Sequence, residues 1–419
     1  MEQNFFSSFL AFFRSRKALF LVPALLLLQI YSQLCLIRTS HVWQITDPYI
    51  LSYYFLNYDA GFIPRGLVGT FYCFLTKYIS GNLFFAILFA LSGAFFLGCV
   101  LAALNYLRKI EDEGTFSSLL LALLLLLAVP PSRIYLLYHF GRLDLFLFAI
   151  TLFSTLAIFR DSLWKYLVLL LVPAGVMIHE IFLLLFLPLI CATAFYRTDR
   201  KKPRSVFYLV LLFLSCVFSL VLLYFMRKNM PAPAVLDALC VKNCNVGKTG
   251  DLGVAIYADK TYWEHFVYAF KSTMLTDYAL GYIVSFLVFL AAGYYPFTLW
   301  KKAYESLPEE EKLLRWKFLF LLAAALIPNL ACLIATDHSR WQTAFLLDIV
   351  LVVFLLYGDG KLSLKLPSPS QKTLQWIFWT CLFSLVCGMT TECHFSNVLT
   401  GICLKAARLF KGVFMFLFS

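Results

Sequence analysis

The sequence predicts an all-α polytopic membrane protein of about eleven transmembrane helices, with interfacial helices in its first outer loop. Three observations carry that prediction. Of the 419 residues, 62% are hydrophobic and only 14% are charged, against roughly 45–50% and 25% in soluble domains. Eleven stretches read as membrane spans, and the lysines and arginines fall in short runs between them. With 44 Phe, 23 Tyr and 8 Trp, a water-soluble fold would have too little interior for its apolar side chains. A soluble enzyme, a disordered chain and a secreted disulfide scaffold are all excluded by composition.

A span needs roughly 17–25 mostly apolar residues. The stretches are 18–37, 82–107, 115–131, 134–158, 163–178, 181–196, 205–226, 277–300, 317–335, 341–357 and 373–391. Two of them, 163–178 and 181–196, are short, and they also read as half-length helices meeting at a polar break. The whole chain, 1–419, reads as one polytopic membrane domain. Within it, 38–81 is an outer interfacial segment rich in Tyr and Phe, 227–276 a long outer loop with Pro231 and Pro233, and 397–418 an amphipathic tail carrying Lys405, Arg408 and Lys411 three apart.

The net charge of +12 does not point to nucleic acid, because the basic residues are topology determinants rather than a groove. Placing the N-terminus in the cytoplasm leaves 20 of the 35 lysines and arginines in the inner connections, 12 on the outer side and 3 in the tail. The inner connections are also the shorter ones. Most of the twelve cysteines lie inside apolar stretches as small hydrophobes. Cys240 and Cys244 form the one local pair, a loop staple if the loop is extracytoplasmic. Residues 18–37 follow a basic stretch but lack a small-residue cleavage site, so they read as a span rather than a signal peptide.

With that sidedness, the unusual ionisable residues gather at the outer ends of separate segments. They are Asp47, Asp59 and Arg65 in the first outer segment; His139, Arg142 and Asp144 in the fourth span; His179 and Glu180 between the fifth and sixth; and Asp337, His338 and Arg340 at the tenth. Ionisable groups at membrane depth are costly and point to function. Each also has a structural reading. Asp47 before Pro48 suits a helix start, Asp59 before Ala60 and Gly61 a turn, and Arg65 a snorkelling cation. Asp144, on the order of 15 Å down its expected span, suits a structural ion pair. His179 and Glu180 resist such a reading most, since an outer turn ordinarily prefers Gly, Asn, Ser or Pro.

Arginines and histidines near half-buried acids suit a lipid phosphate, and a carboxylate can serve as base toward a sugar hydroxyl. The order of a first span, an outer interfacial segment with acids, and then many spans resembles the GT-C class of membrane glycosyltransferases. That class includes lipid-linked polysaccharide polymerases of the Wzy and EpsG kind, and the D-P-Y-x-x-x-Y-Y-F stretch around Asp47 resembles the early Asp/Tyr segment of the latter. The resemblance implies a bacterial inner-membrane enzyme using a polyprenyl-phosphate-linked sugar, in the company of other glycan-assembly proteins. It implies Asp59 or Asp47 as base and Arg65, Arg142 and Arg340 on the lipid phosphate. Many members carry an adjacent acidic pair in the first outer loop; this chain does not. The absence of that pair leaves metal dependence open, a divalent cation being the one cofactor the resemblance allows. The competing expectation is a transporter or flippase of a lipid-linked glycan, toward which Pro173 and Pro188 around His179 and Glu180 point. A third is a non-catalytic scaffold of a glycan-assembly complex.

The sidedness is directly testable on a cysteine-free background. An impermeant thiol reagent applied to intact cells is expected to label a cysteine placed at position 248 and to spare one at position 201. The reverse pattern would invert every outer-face assignment.

Overall fold

The computed structural model describes residues 2–20, 53–128, 141–228, helical fragments between 263 and 271, 279–333, 338–358 and 365–387. Every regular element among them is helical. Four helices are long and apolar enough to cross a membrane: Gly81–Leu107, Pro203–Lys228, Lys312–Cys332 and Arg340–Gly358. Shorter apolar helices accompany them, and this set suits a membrane protein. Expectations for 38–52, for most of 227–276 with Cys240 and Cys244, and for 397–418 lie outside the described residues.

The chain forms two compact units. The first takes its residues from Met1–Lys109, Tyr135–Thr261 and Pro308–Ile327, the second from Ile110–Ile134, Tyr262–Leu307 and Pro328–Ser419. In the first unit the helices are α1 (Glu2–Arg14), α2 (Gly66–Leu75), α3 (Gly81–Leu107), α5 (Asp144–Phe159), α6 (Val168–Ile178), α7 (Phe182–Leu185), α8 (Leu187–Arg197), α9 (Pro203–Lys228) and α11 (Lys312–Leu326). The second holds α4 (Glu113–Ala128), α10 (Ala279–Glu305), α12 (His338–Gly358) and α13 (Gln371–Cys387).

Local chemistry explains several boundaries. Ser80, extended, accepts the Leu83 N–H at 3.2 Å and so caps α3. Asp112 accepts the Thr115 N–H at 2.7 Å at the start of α4. The expected span 134–158 is interrupted: Gly141 has φ +96°, and the helix begins only at Asp144. Asp144 is therefore in the first turn of α5 and not midway down a helix, because the glycine takes a conformation no helix continues through. The stretches 163–178 and 181–196 are separate apolar helical segments that meet at a polar break. His179, extended at φ −162°, ends α6, and Pro188 lies in the first turn of α8.

On α9, Phe207, Phe213, Phe218 and Tyr224 are exposed, whereas Tyr208, Leu212, Ser215 and Ser219 are buried against α6 or within the unit. Phenylalanines outside and serine hydroxyls inside is the sorting expected of helices packed in hydrocarbon. One contact accounts for the serine. Pro173, inside α6, has no N–H to give the Leu169 carbonyl four residues back. The Ser215 hydroxyl donates to that carbonyl instead, at 2.7 Å. At the other end of the unit Lys317 of α11 donates to the Tyr196 and Thr198 carbonyls, at 3.0 and 2.6 Å, closing the C-terminus of α8.

In the second unit α12 is the central helix, with 72% of its most apolar window buried. It packs on α10 and α4, and α13 packs on both of those. Gly293 of α10 admits the Phe345 ring so closely that a Cβ there would lie 2.7 Å from it.

Ser215→Ala should leave the Leu169 carbonyl unbonded and cost about 1–3 kcal/mol. Pro173→Ala restores the missing N–H, so the serine should matter much less in the double variant. Thermal unfolding of the four proteins in one detergent measures this; equal effects of Ser215→Ala in both backgrounds would break the link between proline and serine.

Candidate functional site

The first outer segment enters the described residues at Tyr53 and reaches Arg65 through two turns. Asn57 accepts the Asp59 N–H at 2.8 Å and starts the 3-10 turn Tyr58–Ala60, which Gly61 ends at φ +101°. Then Pro64 and Arg65 turn the chain into α2. Arg65 has φ 64° and ψ 4°, the geometry of the third position of a type II turn, where glycine or asparagine is usual. An arginine in this left-handed region costs of order 1 kcal/mol or more. What its side chain does offsets that cost.

Arg65 Nε donates to Glu180 Oε1 and Oε2 at 3.2 and 3.0 Å, and Nη2 donates to Oε1. The two side chains are only 18% and 16% exposed. The guanidinium also lies 5.6 Å over the Tyr53 ring, within cation–π range, and the same ring sits 6.2 Å from the His179 imidazole. His179 is buried and Nδ1 lies 3.3 Å from Glu180 Oε2. It accepts the Ile181 N–H at 3.2 Å, so the neutral ring carries its proton on Nε2.

Two other links hold the cluster's frame. Gly69 of α2 lies against the 53–57 segment so tightly that a Cβ would sit 1.8 Å from the Leu56 carbonyl oxygen. The Tyr54 hydroxyl donates to the Gly141 carbonyl at 2.6 Å, fastening that segment to the turn that precedes Arg142 and Asp144. Both of those side chains are buried, and the Asp144 charge reaches His179. Gly175 and the Phe182 ring close the α6–α7 reversal behind His179.

Electrostatics follow from this packing. Burial works to raise the Glu180 carboxyl, but the Arg65 charge outweighs it and holds the group well below its ordinary value. Burial pushes the His179 imidazole down, and Arg65 pushes it the same way against the opposing pull of Glu180. Near neutral pH the site is thus a carboxylate, a guanidinium and a neutral imidazole.

Of the residues singled out in the sequence, Arg65, His179 and Glu180 make one contact set, with Asp144 electrostatically linked to it. Arg142 is buried two residues before Asp144, and Asp59 is exposed in its 3-10 turn. Asp47, His139 and Asp337 lie outside the described residues. His338 and Arg340 belong to the second unit, where Arg340 is buried with its guanidinium 4.6 Å from the Trp341 ring centre. Among the described residues no group of three or more His, Cys, Asp or Glu is disposed to hold a metal ion.

Two further residues stand out in the structure. Tyr53 has the composition of an interfacial aromatic and gives no sequence hint that it backs Arg65. Asp348, fully buried on α12 with its Oδ2 bonded to no described group, does carry a signal: it is a lone acid inside an apolar span. Attention to the outer ends of spans passes over it. Comparisons with protein families, with curated proteins and with solved structures found no match.

The Arg65–Glu180 pair should show a coupling of about 1–3 kcal/mol in a double-mutant cycle of Arg65→Gln and Glu180→Gln, less than a fully buried pair because both groups keep some exposure. Because the Glu180 value is lowered, its contribution is complete above the unfolded carboxyl's pKa of about 4.3. It disappears as the pH falls below that point through the folded value. Thermal midpoints measured from pH 3 to pH 8 check the sign; a stabilisation that grew on acidification would contradict it.

Proposed function

We propose that the protein is a membrane glycosyltransferase or polysaccharide polymerase that uses a polyprenyl-phosphate-linked sugar donor at the outer face of the bacterial cytoplasmic membrane. One observation carries the reading. An arginine in a strained backbone conformation is held by a carboxylate next to a buried imidazole, and these groups come from chain segments more than a hundred residues apart. Such an investment in orienting one guanidinium suits recognition of a phosphate, to which arginine offers a planar fork of donors.

In this reading Arg65, with Arg142, neutralises the charge that develops on the departing lipid phosphate. Glu180 fixes the guanidinium plane, and neutral His179 orients the acceptor or the lipid head with its Nε2 proton. A first-loop aspartate takes the proton from the attacking hydroxyl as the new bond forms to the anomeric carbon. Asp59 is preferred: it is exposed to an incoming hydroxyl and stands six residues before Arg65. Asp47 is the alternative, and Arg340 is a further phosphate contact on the sequence argument alone. A divalent cation is the one cofactor the resemblance allows.

A transporter or flippase of a lipid-linked glycan is the second reading. It is favoured by the interrupted α6–α7–α8 path, whose helices of 11, 4 and 11 residues resemble the broken helices of carriers.

The two readings separate in proteoliposomes loaded with a polyprenyl-pyrophosphate-linked oligosaccharide. Transfer predicts a longer glycan on the product lipid, and Asp59→Asn or Asp47→Asn, whichever removes the base, should slow it by about 10²–10⁴-fold. Arg65→Lys, which keeps the charge but loses the fork, should cost about 10²–10³-fold. Movement of unmodified lipid-linked glycan across the bilayer without a new glycosidic bond would replace the enzyme by the flippase. Full extension activity in all three variants would end the assignment.

A further inference from the structure

The second unit contains a cavity of about 520 Å³ between α4, α10, the 367–370 segment and the start of α13. That volume lies in the range of small-ligand sites. Lys302 and Lys372 line it, and no aspartate or glutamate does. The neighbouring Lys301 is the one that pairs with Glu305, at 3.5 Å. Two lysines therefore line this space without a carboxylate in its wall.

The rest of the lining is chosen for an anion with an apolar attachment. Ser118 and Thr298 add hydroxyls. Ser370 caps α13 by accepting the Thr373 N–H at 3.2 Å, and α13 is 17 residues long, so the positive end of a full helix dipole opens at the cavity. Tyr295 also lines the space; it is 5% exposed, and its hydroxyl lies beside that of Ser118, adding a second polar group to the wall. Trp376 forms an apolar wall, packed edge-on against Tyr294 at 5.6 Å, and the same helix continues with Phe378 and Trp379 exposed.

The supports of the cavity are rigid. Leu366 N–H donates to Thr115 Oγ1 at 3.0 Å, and the Leu366 carbonyl lies so close to Gly114 that no Cβ would fit there. Pro367 and Pro369 restrict the connecting segment further. The lysines are thus carried on elements held in place before any ligand arrives.

We propose that this cavity binds a phosphate ester anion, either the headgroup of an anionic phospholipid with its chains along α13 or a soluble phosphate compound. The site is independent of the Arg65 cluster, and its failure or success leaves the glycosyltransferase reading untouched.

The full chain, purified in detergent, is offered phosphatidylglycerol and phosphatidylcholine at equal concentration, and retained lipid is counted by native mass spectrometry. Radiolabelled inorganic phosphate is tested separately by equilibrium dialysis. The expected result is one phosphatidylglycerol retained in preference to phosphatidylcholine. Each lysine lost should weaken retention roughly 5-fold, and Lys302→Ala with Lys372→Ala roughly 30-fold, from about 1 kcal/mol per lysine. Lys301→Ala should change nothing, and Tyr295→Phe should weaken retention several-fold. Phosphate binding lost in the same double variant, without lipid selectivity, would assign the site to a soluble phosphate compound instead. Should the double variant not fold, Lys302→Gln and Lys372→Gln singly carry the same comparison. Equal retention of both lipids together with no saturable phosphate binding would overturn the proposal, as would binding that ignores the lysines.

Discussion

A proline in the middle of a helix leaves one carbonyl without its donor, and in hydrocarbon there is no water to replace it. Here the Ser215 hydroxyl replaces the missing Pro173 N–H at the Leu169 carbonyl. That exchange lets α6 run through Pro173 without leaving the Leu169 carbonyl unbonded, and it ties α6 to a long helix that exposes phenylalanines on its other side. The end of α6 puts His179 and Glu180 into position. Hydrophobic association cannot hold two helices together where both already lie in an apolar medium. Hydroxyl-to-carbonyl bonds and close glycine contacts take over that role, at Ser215 in one unit and at Gly293 in the other.

The Arg65 cluster follows the same economy of polar groups. A guanidinium on a left-handed residue is kept because a carboxylate and an aromatic face both engage it. The neutral imidazole beside it adds a proton donor without adding charge. Removing any one member leaves another buried and incompletely bonded, so the group acts as a unit, and single substitutions measure the loss of the whole arrangement more than the share of one residue.

Much of this was legible in the chain. Apolar length and the charge runs between spans gave α3, α9 and α12 nearly to the residue, since long uniform helices leave little ambiguity. The polar break between 163–178 and 181–196 is where the first of them ends, at His179, because two adjacent ionisable residues separate the apolar runs. Asp144 was harder: an apolar count cannot see that Gly141 takes a positive φ, so it runs the helix through. His179 and Glu180 stood out because no ordinary turn uses them. That Glu180 holds Arg65, 115 residues earlier, has no local signature, and neither does the role of Tyr53 among so many aromatics. Asp348 was visible and simply lay away from the span ends.

Lys317 closes the C-terminus of α8 although it lies 121 residues beyond Tyr196 in sequence, and the intervening chain includes all of α10, which belongs to the other unit. At about 5–20 residues per second of synthesis, the α8 carbonyls wait roughly 6–24 s for their donor. During that interval the ribosome is making a piece of the second unit while the first is unfinished. The first unit therefore cannot mature in order of synthesis. It stays open through the insertion of a foreign helix and is sealed only when α11 returns.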